Sequence, residues 1–270
     1  ELLFGLVFLR PLGLRLPQEE FNVAIFKNMA KKAVEEIYFR GKVPIVAGGT
    51  GFYIQALLYD IDFTENGEDK SIRKELEDFA AEKGPQALHQ LLEAVDPQAA
   101  REIHANNVKR VIRAIEYFRQ TGEPISVHNE RERCKSSPYN FLYYVLNTDR
   151  AILYERIDRR VDQMIQQGLV TEVESLRKEG CTRGMVSMQG LGYKEILAYL
   201  EGECSLKEAV TVLKRDTRHF AKRQLTWFKR EREVRWLNLP DFGNDRTLVL
   251  KAILQDGKDI LGLESKITWN

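Results

Sequence analysis

Apolar positions in this chain follow two patterns, a repeat of about four residues that suits helices and short unbroken runs that suit buried strands. From Phe21 the pattern is helical: Asn22 offers an N-cap, and Phe26, Met29, Ala33 and Ile37 share one face until Gly41 stops the helix. Val43 to Ala47 is an apolar run of buried-strand type, followed by Gly48-Gly49-Thr50-Gly51 and a helical pattern from Phe52 to Leu58. Strand, glycine turn and helix make an α/β unit. A further helix is predicted after Asn106 and Asn107, whose side chains suit an N-cap, ending at Thr121 and Gly122. On it Val108, Val111, Ile112, Ile115 and Phe118 share a face, and Lys109, Arg110 and Arg113 lie opposite.

Phe141 to Leu146 predicts a second buried strand. In the helix after it Leu153, Ile157, Val161 and Ile165 recur at helical spacing, with Arg156, Arg159 and Arg160 on the polar side. Gly168 breaks that helix, Thr171 with Glu174 predicts a capping box, and Gly180 ends the short helix that follows. Ser187 to Glu195 reads as a glycine-bearing turn before another helix. Ser205 with Glu208 predicts a second capping box, opening a long helix that reaches residue 229.

At 270 residues, and about 150 per domain, the chain suits roughly two domains or one large one. With 43% hydrophobic and 30% charged residues it has the make-up of a globular protein, neither disordered nor built from membrane spans. Cys134, Cys181 and Cys204 form no CxxC pair, so neither a disulfide nor a structural zinc is expected. His89, His104, His128 and His219 are scattered and receive no role. The opening Glu1 to Leu9 is apolar but shorter than the roughly 20 residues that span a bilayer, and reads as a buried strand or a truncation scar. Free thiols and the lack of a recognisable targeting segment make the cytoplasm the expected compartment, with no membrane partner.

The formal charge of +1 hides opposed blocks: residues 60–96 hold 11 acidic and 4 basic side chains, net −7, and residues 214–230 hold 7 basic and 1 acidic, net +6. Within the second block Lys214, Arg218 and Lys222 form a stripe at helical spacing, interleaved with Phe220, Trp227 and Phe228. Such a stripe suits phosphates, since Arg offers paired donors and Lys a point charge, although a charge run alone is more often a solvated helix face. The strips at Lys109 to Arg113 and Arg156 to Arg160 shift that balance toward a polyanionic ligand. The turn at Gly48 to Gly51 lies where α/β proteins place ligand sites. It is not a P-loop, because neither Gly41-Lys42 nor Gly257-Lys258 is followed by Ser or Thr.

These residues converge on a family. The segment Val43 to Leu58 resembles a signature of the tRNA dimethylallyltransferases. Four later segments match in the same order: Lys109 to Glu116 with Thr121 to Ser126, Leu153 to Val161, Ser187 to Glu195, and Lys222 to Phe228. Five ordered segments are far more specific than any one, and the resemblance runs from about Pro17 to Leu239. It implies an α/β fold with a P-loop-kinase-like parallel-sheet core, discontinuous over residues 17–62 and 140–250, a helical insertion at 63–139, and residues 1–16 unassigned. It also implies transfer of a dimethylallyl group from dimethylallyl diphosphate to N6 of the adenosine 3′ of the anticodon, with Mg²⁺. The partner would be a tRNA anticodon stem-loop, and the protein a monomer.

An adenine N6 amine is a poor nucleophile, so the base must leave its stack, approach the prenyl carbon and face a stabilised leaving group. In the family pattern Thr50 matches the threonine that positions the target amine. Arg156 and Arg160 are the candidates for the diphosphate. Arg73, Lys109, Arg110 and Arg113 match segments that contact tRNA, and Lys214, Arg218, Lys222 and Arg223 of the basic helix are assigned to the same partner. For Arg73, Arg156 and Arg160 an ordinary surface ion pair is an equal expectation. The family opens with a strand, a P-loop and an Asp-Ser segment whose aspartate acts as general base. Residues 1–16 match none of these, so the N-terminal strand and P-loop are expected to be missing and transfer by this chain to be impaired. Two alternatives are a tRNA-binding module without catalysis and, more weakly, a nucleotide kinase relative.

Overall fold

The computed structural model describes residues 4–8, 19, 21–63 and 71–262. Of the unassigned opening segment only residues 4–8 fall within this description, and residues 64–70 of the acidic block lie outside it. The chain forms two compact units, residues 1–54 with 139–270, and residues 55–138.

The first unit opens with β1 (Phe4–Phe8), α1 (Val23–Phe39) and β2 (Val43–Ala47), and the two strands pair in parallel with Phe4 opposite Val43 and Phe8 opposite Ala47. A parallel pair needs a crossover, and α1 supplies it. Its Asn22 caps as expected, with the side chain accepting from the Ile25 N–H at 3.0 Å. The buried face of α1 is Phe26, Ala30, Val34 and Ile37, which moves the expected stripe one position along at Met29 and Ala33. From β2 the chain turns through Gly48 to Thr50 into α2 (Gly51–Leu58).

The second unit is helical throughout its described residues: α3 (Ser71–Val95), α4 (Pro97–Glu102), α5 (Val108–Thr121) and α6 (Ile125–Arg133). Gly84-Pro85 makes a kink inside α3. Gly84 sits at φ +84°, a conformation that Pro85 helps impose by excluding helix from the residue before it. Leu76, Leu88, Leu92, Val111, Ile112 and Ile115 form the core. Asp96, 1% exposed, accepts from Ala99 N–H at 2.9 Å, from Ser126 N–H at 2.9 Å and from the Ser126 hydroxyl at 2.7 Å. A buried carboxylate so fully bonded locks the start of α4 to α6. Asn107 holds the N-cap position of α5, but contrary to expectation its side chain makes no capping bond.

Back in the first unit, β3 (Tyr143–Asn147) leads into α7 (Arg150–Gln166), α8 (Leu169–Lys178), α9 (Tyr193–Leu200), α10 (Leu206–Phe228), β4 (Val234–Asn238) and α11 (Arg246–Leu261). β3 and β4 pair in parallel, Tyr143 opposite Val234. Val161, Leu169, Val173, Met188, Ile196 and Leu213 knit α7 to α10 into one core. The box expected at Thr171 and Glu174 does not form. Gly168, at φ +99°, is itself the N-cap of α8, so Thr171 lies inside the helix and Glu174 pairs with Lys178 at 3.0 Å. The box at Ser205 does form, with Glu208 N–H donating to the serine hydroxyl at 3.3 Å and Ser205 N–H to the Glu208 carboxylate at 2.8 Å. No described helix is long and apolar enough to cross a membrane.

Candidate functional site

The turn after β2 is held from three sides. Thr50 closes it, its carbonyl accepting from Tyr53 N–H at 2.9 Å and Ile54 N–H at 3.2 Å, the first bonds of α2. Tyr53 stacks on Phe26 of α1, centroids 4.8 Å apart, which fixes the helix behind the turn and pushes the buried phenol upward in pKa. From across the unit comes the end of α10. The Gln224 side-chain amide donates to the Gly49 carbonyl at 2.6 Å, and the Trp227 indole packs on Gly51 so closely that a Cβ there would overlap ring atoms. Thr50 itself remains exposed, beside the ring of Phe52, which meets Trp227 edge-on at 6.2 Å. Both rings keep substantial exposure, 40% for Phe52 and 38% for Trp227. The Thr50 hydroxyl and two partly exposed rings therefore lie beside the end of α10, where Arg223 is exposed close to the Trp227 face and Lys222 is exposed on the far side of the helix.

Further up α10 the positive charge is matched internally. Lys214 pairs with Asp162 at 2.7 Å and Arg218 with Asp158 at 2.5 Å, both carboxylates from α7. Arg156 and Arg160 lie about 200° around α7 from that acidic row. They are exposed and have no ion-pair partner among the described residues, whereas Arg159 between them bonds Glu155 at 2.6 Å. Thr50 thus sits at the end of α10 where Gln224 and Trp227 meet its turn, with the exposed Arg223 near that face and Lys222 facing away, and Arg156 and Arg160 stand on the outer side of the helix that packs against α10.

In the helical unit Arg73 makes a two-pronged bond to the buried Glu116, at 3.1 and 2.6 Å, and Arg113 reaches the same carboxylate at 3.5 Å. Lys109 and Arg110 point outward and line a cleft of about 180 Å³ with Arg113, Gln98, Asn129 and Arg133. Glu102 also lines it, and Arg113 and Arg133 have carboxylate partners in Glu116 and Glu130, so the cations left to meet a phosphate there are chiefly Lys109 and Arg110.

Glu231, just past α10, is also notable. Burial raises its carboxyl above the usual range, against the lowering effects of a hydrogen bond to the Trp227 side chain and of nearby Arg232. Gln224, Trp227, Glu231, Asn129 and Arg133 carried no assigned role in the sequence. A signal for the first two was present, since Gln224 and Trp227 stand three apart on one helix face inside a family-like segment. Among the described residues no group of three or more His, Cys, Asp or Glu side chains is placed to hold a metal ion.

Comparison with known proteins gives a consistent result. Residues 10–231 match the IPP transferase family. The chain is 62% identical over 237 residues to a tRNA dimethylallyltransferase of Lachnoclostridium phytofermentans, covering 88% of this chain and 76% of that protein. Its fold is similar to the full-length tRNA isopentenylpyrophosphate transferase of Bacillus halodurans, with TM-score 0.62 and 40% identity over 91% of this chain and 76% of that one. It is also similar to a eukaryotic dimethylallyltransferase captured acting on tRNA, with TM-score 0.73 and 27% identity over 93% of this chain and 65% of that one.

Proposed function

The chain belongs to the IPP transferase family, and from that premise we propose that it transfers a dimethylallyl group from dimethylallyl diphosphate to N6 of the adenosine 3′ of the tRNA anticodon. The observation that carries this reading is the exposed Thr50 in a turn held by the end of a basic helix, with the partly exposed rings of Phe52 and Trp227 beside it. An adenine drawn out of its stack would find ring faces to lie against, and a hydroxyl to accept one N6 hydrogen and aim the nitrogen lone pair. N6 then attacks C1 of the prenyl group, the C1–O bond breaks, and diphosphate leaves with the electron pair. The nitrogen's proton passes to water or to the departing phosphate. Arg156 and Arg160, cationic and without an ion-pair partner among the described residues, would receive the developing charge.

Lys109 and Arg110, flanked by Arg113 and Arg133, would hold RNA phosphates in their cleft, with Lys222 and Arg223 serving the same backbone toward the end of α10. Arg73, Lys214 and Arg218 would support binding from behind, since their charge is directed to Glu116, Asp162 and Asp158. Residues 63–139 would act as the RNA-gripping insertion and the α/β unit as the chemical one. Mg²⁺ belongs with a diphosphate substrate, but the described residues form no cage for it, and no step above runs through it. A monomer working in the cytoplasm fits a tRNA substrate and the lack of a membrane-crossing helix among the described residues.

The test is incubation of the purified protein with an anticodon stem-loop and dimethylallyl diphosphate, reading the RNA mass. One added C5H8 unit on that adenosine is expected, and Thr50→Ala should lower kcat by about 10². An unmodified RNA under conditions where a Bacillus halodurans control works would defeat the proposal.

A further inference from the structure

The Gly48 to Gly51 turn has little rigidity of its own. Three of its four residues lack a side chain, and glycine leaves the backbone its widest freedom. Its geometry is set from outside by two side chains one helical turn apart on α10. Gln224 bonds the Gly49 carbonyl at 2.6 Å, which fixes the peptide unit leading into Thr50. Trp227 lies flush on Gly51, fixing the peptide unit leading out of it. The end of α10 is itself pinned, because the buried Phe228 meets Tyr143 of β3 edge-on at 6.3 Å. Thr50 is the one residue of the turn with a reactive side chain, and it sits between the two gripped units.

We infer that Gln224 and Trp227 are positioning residues, a two-point clamp by which α10 sets the location of the Thr50 hydroxyl. The inference rests on the reading of Thr50 as the residue that meets the target amine. It explains why Gly51 is glycine and why a side chain at Gly49 would cost the Gln224 contact. A Cβ at Gly51 would strike the Trp227 ring, and one at Gly49 would push the mobile Gln224 amide off its bond. Misplacing a reacting group by about 1 Å can cost about 10² in rate, so loss of either contact should act on turnover more than on substrate capture.

The experiment is a double-mutant cycle on the full chain. Gln224→Met keeps the length of the side chain and removes its donor, and Trp227→Phe serves as a second variant should Gln224→Met not fold. Against wild type, Gln224→Met should lower kcat by about 10- to 100-fold, with KM for RNA and for dimethylallyl diphosphate changed by less than about 3-fold. In a Thr50→Ala background the same change should cost less than about 3-fold, because the hydroxyl that it positions is gone. Amide exchange over residues 48–53 should quicken in Gln224→Met. Equal losses in both backgrounds, a loss confined to KM, or unchanged exchange would overturn the clamp. An inactive wild type would instead overturn the functional reading, and with it the catalytic purpose of the clamp.

Discussion

Helices α5 and α10 both read in the sequence as cationic strips, and the structure treats their charge in different ways. On α10 the mid-helix cations Lys214 and Arg218 face acidic partners on α7, while Lys222 and Arg223, toward the end that meets the Thr50 turn, are exposed and have no ion pair among the described residues. On α5 the order is reversed. Lys109 and Arg110 at the start of the helix face a cleft, and Arg113 one turn later bends to Glu116. The partners differ as well: the Glu116 side chain is 4% exposed, against 39% for Asp158 and 51% for Asp162. A count of positive residues adds together cations that bind outward and cations that hold the fold. What separates them is whether a carboxylate, on the same helix or on a packed neighbour, lies within reach.

The largest expected effect tests the inward-facing cations. Removing Arg73 leaves a buried carboxylate with only the longer Arg113 contact, and stranding a buried charge costs several kcal/mol. Because Arg73 is itself 42% exposed, about 2 kcal/mol is expected for Arg73→Ala in urea unfolding. Arg218→Ala, which strands a carboxylate that water already reaches, should cost under about 1 kcal/mol. Equal losses in the two variants would show that burial of the partner is not what distinguishes the helices.

A smaller effect tests the outward-facing ones. Lys109→Ala with Arg110→Ala should weaken binding of an anticodon stem-loop by about tenfold and flatten the salt dependence by about one unit of log-log slope per lost phosphate contact. Lys214→Ala should leave the slope unchanged, since its charge is already matched by Asp162. A slope that responds equally to both would mean that the pair with Asp162 opens when RNA arrives.

Much of the fold was legible locally. Asn22, the Ser205 and Glu208 box, and the stops at Gly41 and Gly122 each act within about one helical turn, so neighbouring residues contain the whole cause. The box assigned to Thr171 shows the limit of that logic. Gly168 had already started the helix, and a suitable pair of residues does not make a cap once it lies in a helix interior. Strand β4 and helices α6 and α11 carried too little periodicity to be assigned. Thr50 was legible through its turn, but its contact with Gln224 spans 175 residues, and nothing local to either residue encodes it. The neutralisation of Lys214 and Arg218 was hidden for the same reason. Their partners lie on α7, within the very segment whose arginines had drawn attention.

The smallest effect concerns acid, and it sets the end of α10 against the helical unit once more. At Glu132 of α6 burial works to raise the pKa, but Lys135 at 2.7 Å and the Asp62 N–H outweigh it, so the carboxyl is held below its usual range. Such a group contributes stability above its unfolded pKa of about 4.5, lost as pH falls toward the lower folded value. Glu231 is shifted the other way, chiefly by burial. Its protonated form favours the folded state, and that contribution fades as pH rises from about 4.5 through the raised folded value. Glu132→Gln should therefore lower the urea midpoint at pH 7 and converge on wild type in acid. Glu231→Gln should equal or exceed wild type at pH 7 and lose that margin below about pH 4.5. Each difference should be about 1 kcal/mol or less, because burial and the neighbouring hydrogen bonds and charges oppose one another at both groups. Opposite signs at neutral pH, read in one unfolding series, would show that the end of α10 tolerates a strained carboxylate next to Trp227. A Glu231→Gln variant less stable than wild type at pH 7 would mean that its bond to Trp227 outweighs the cost of burial.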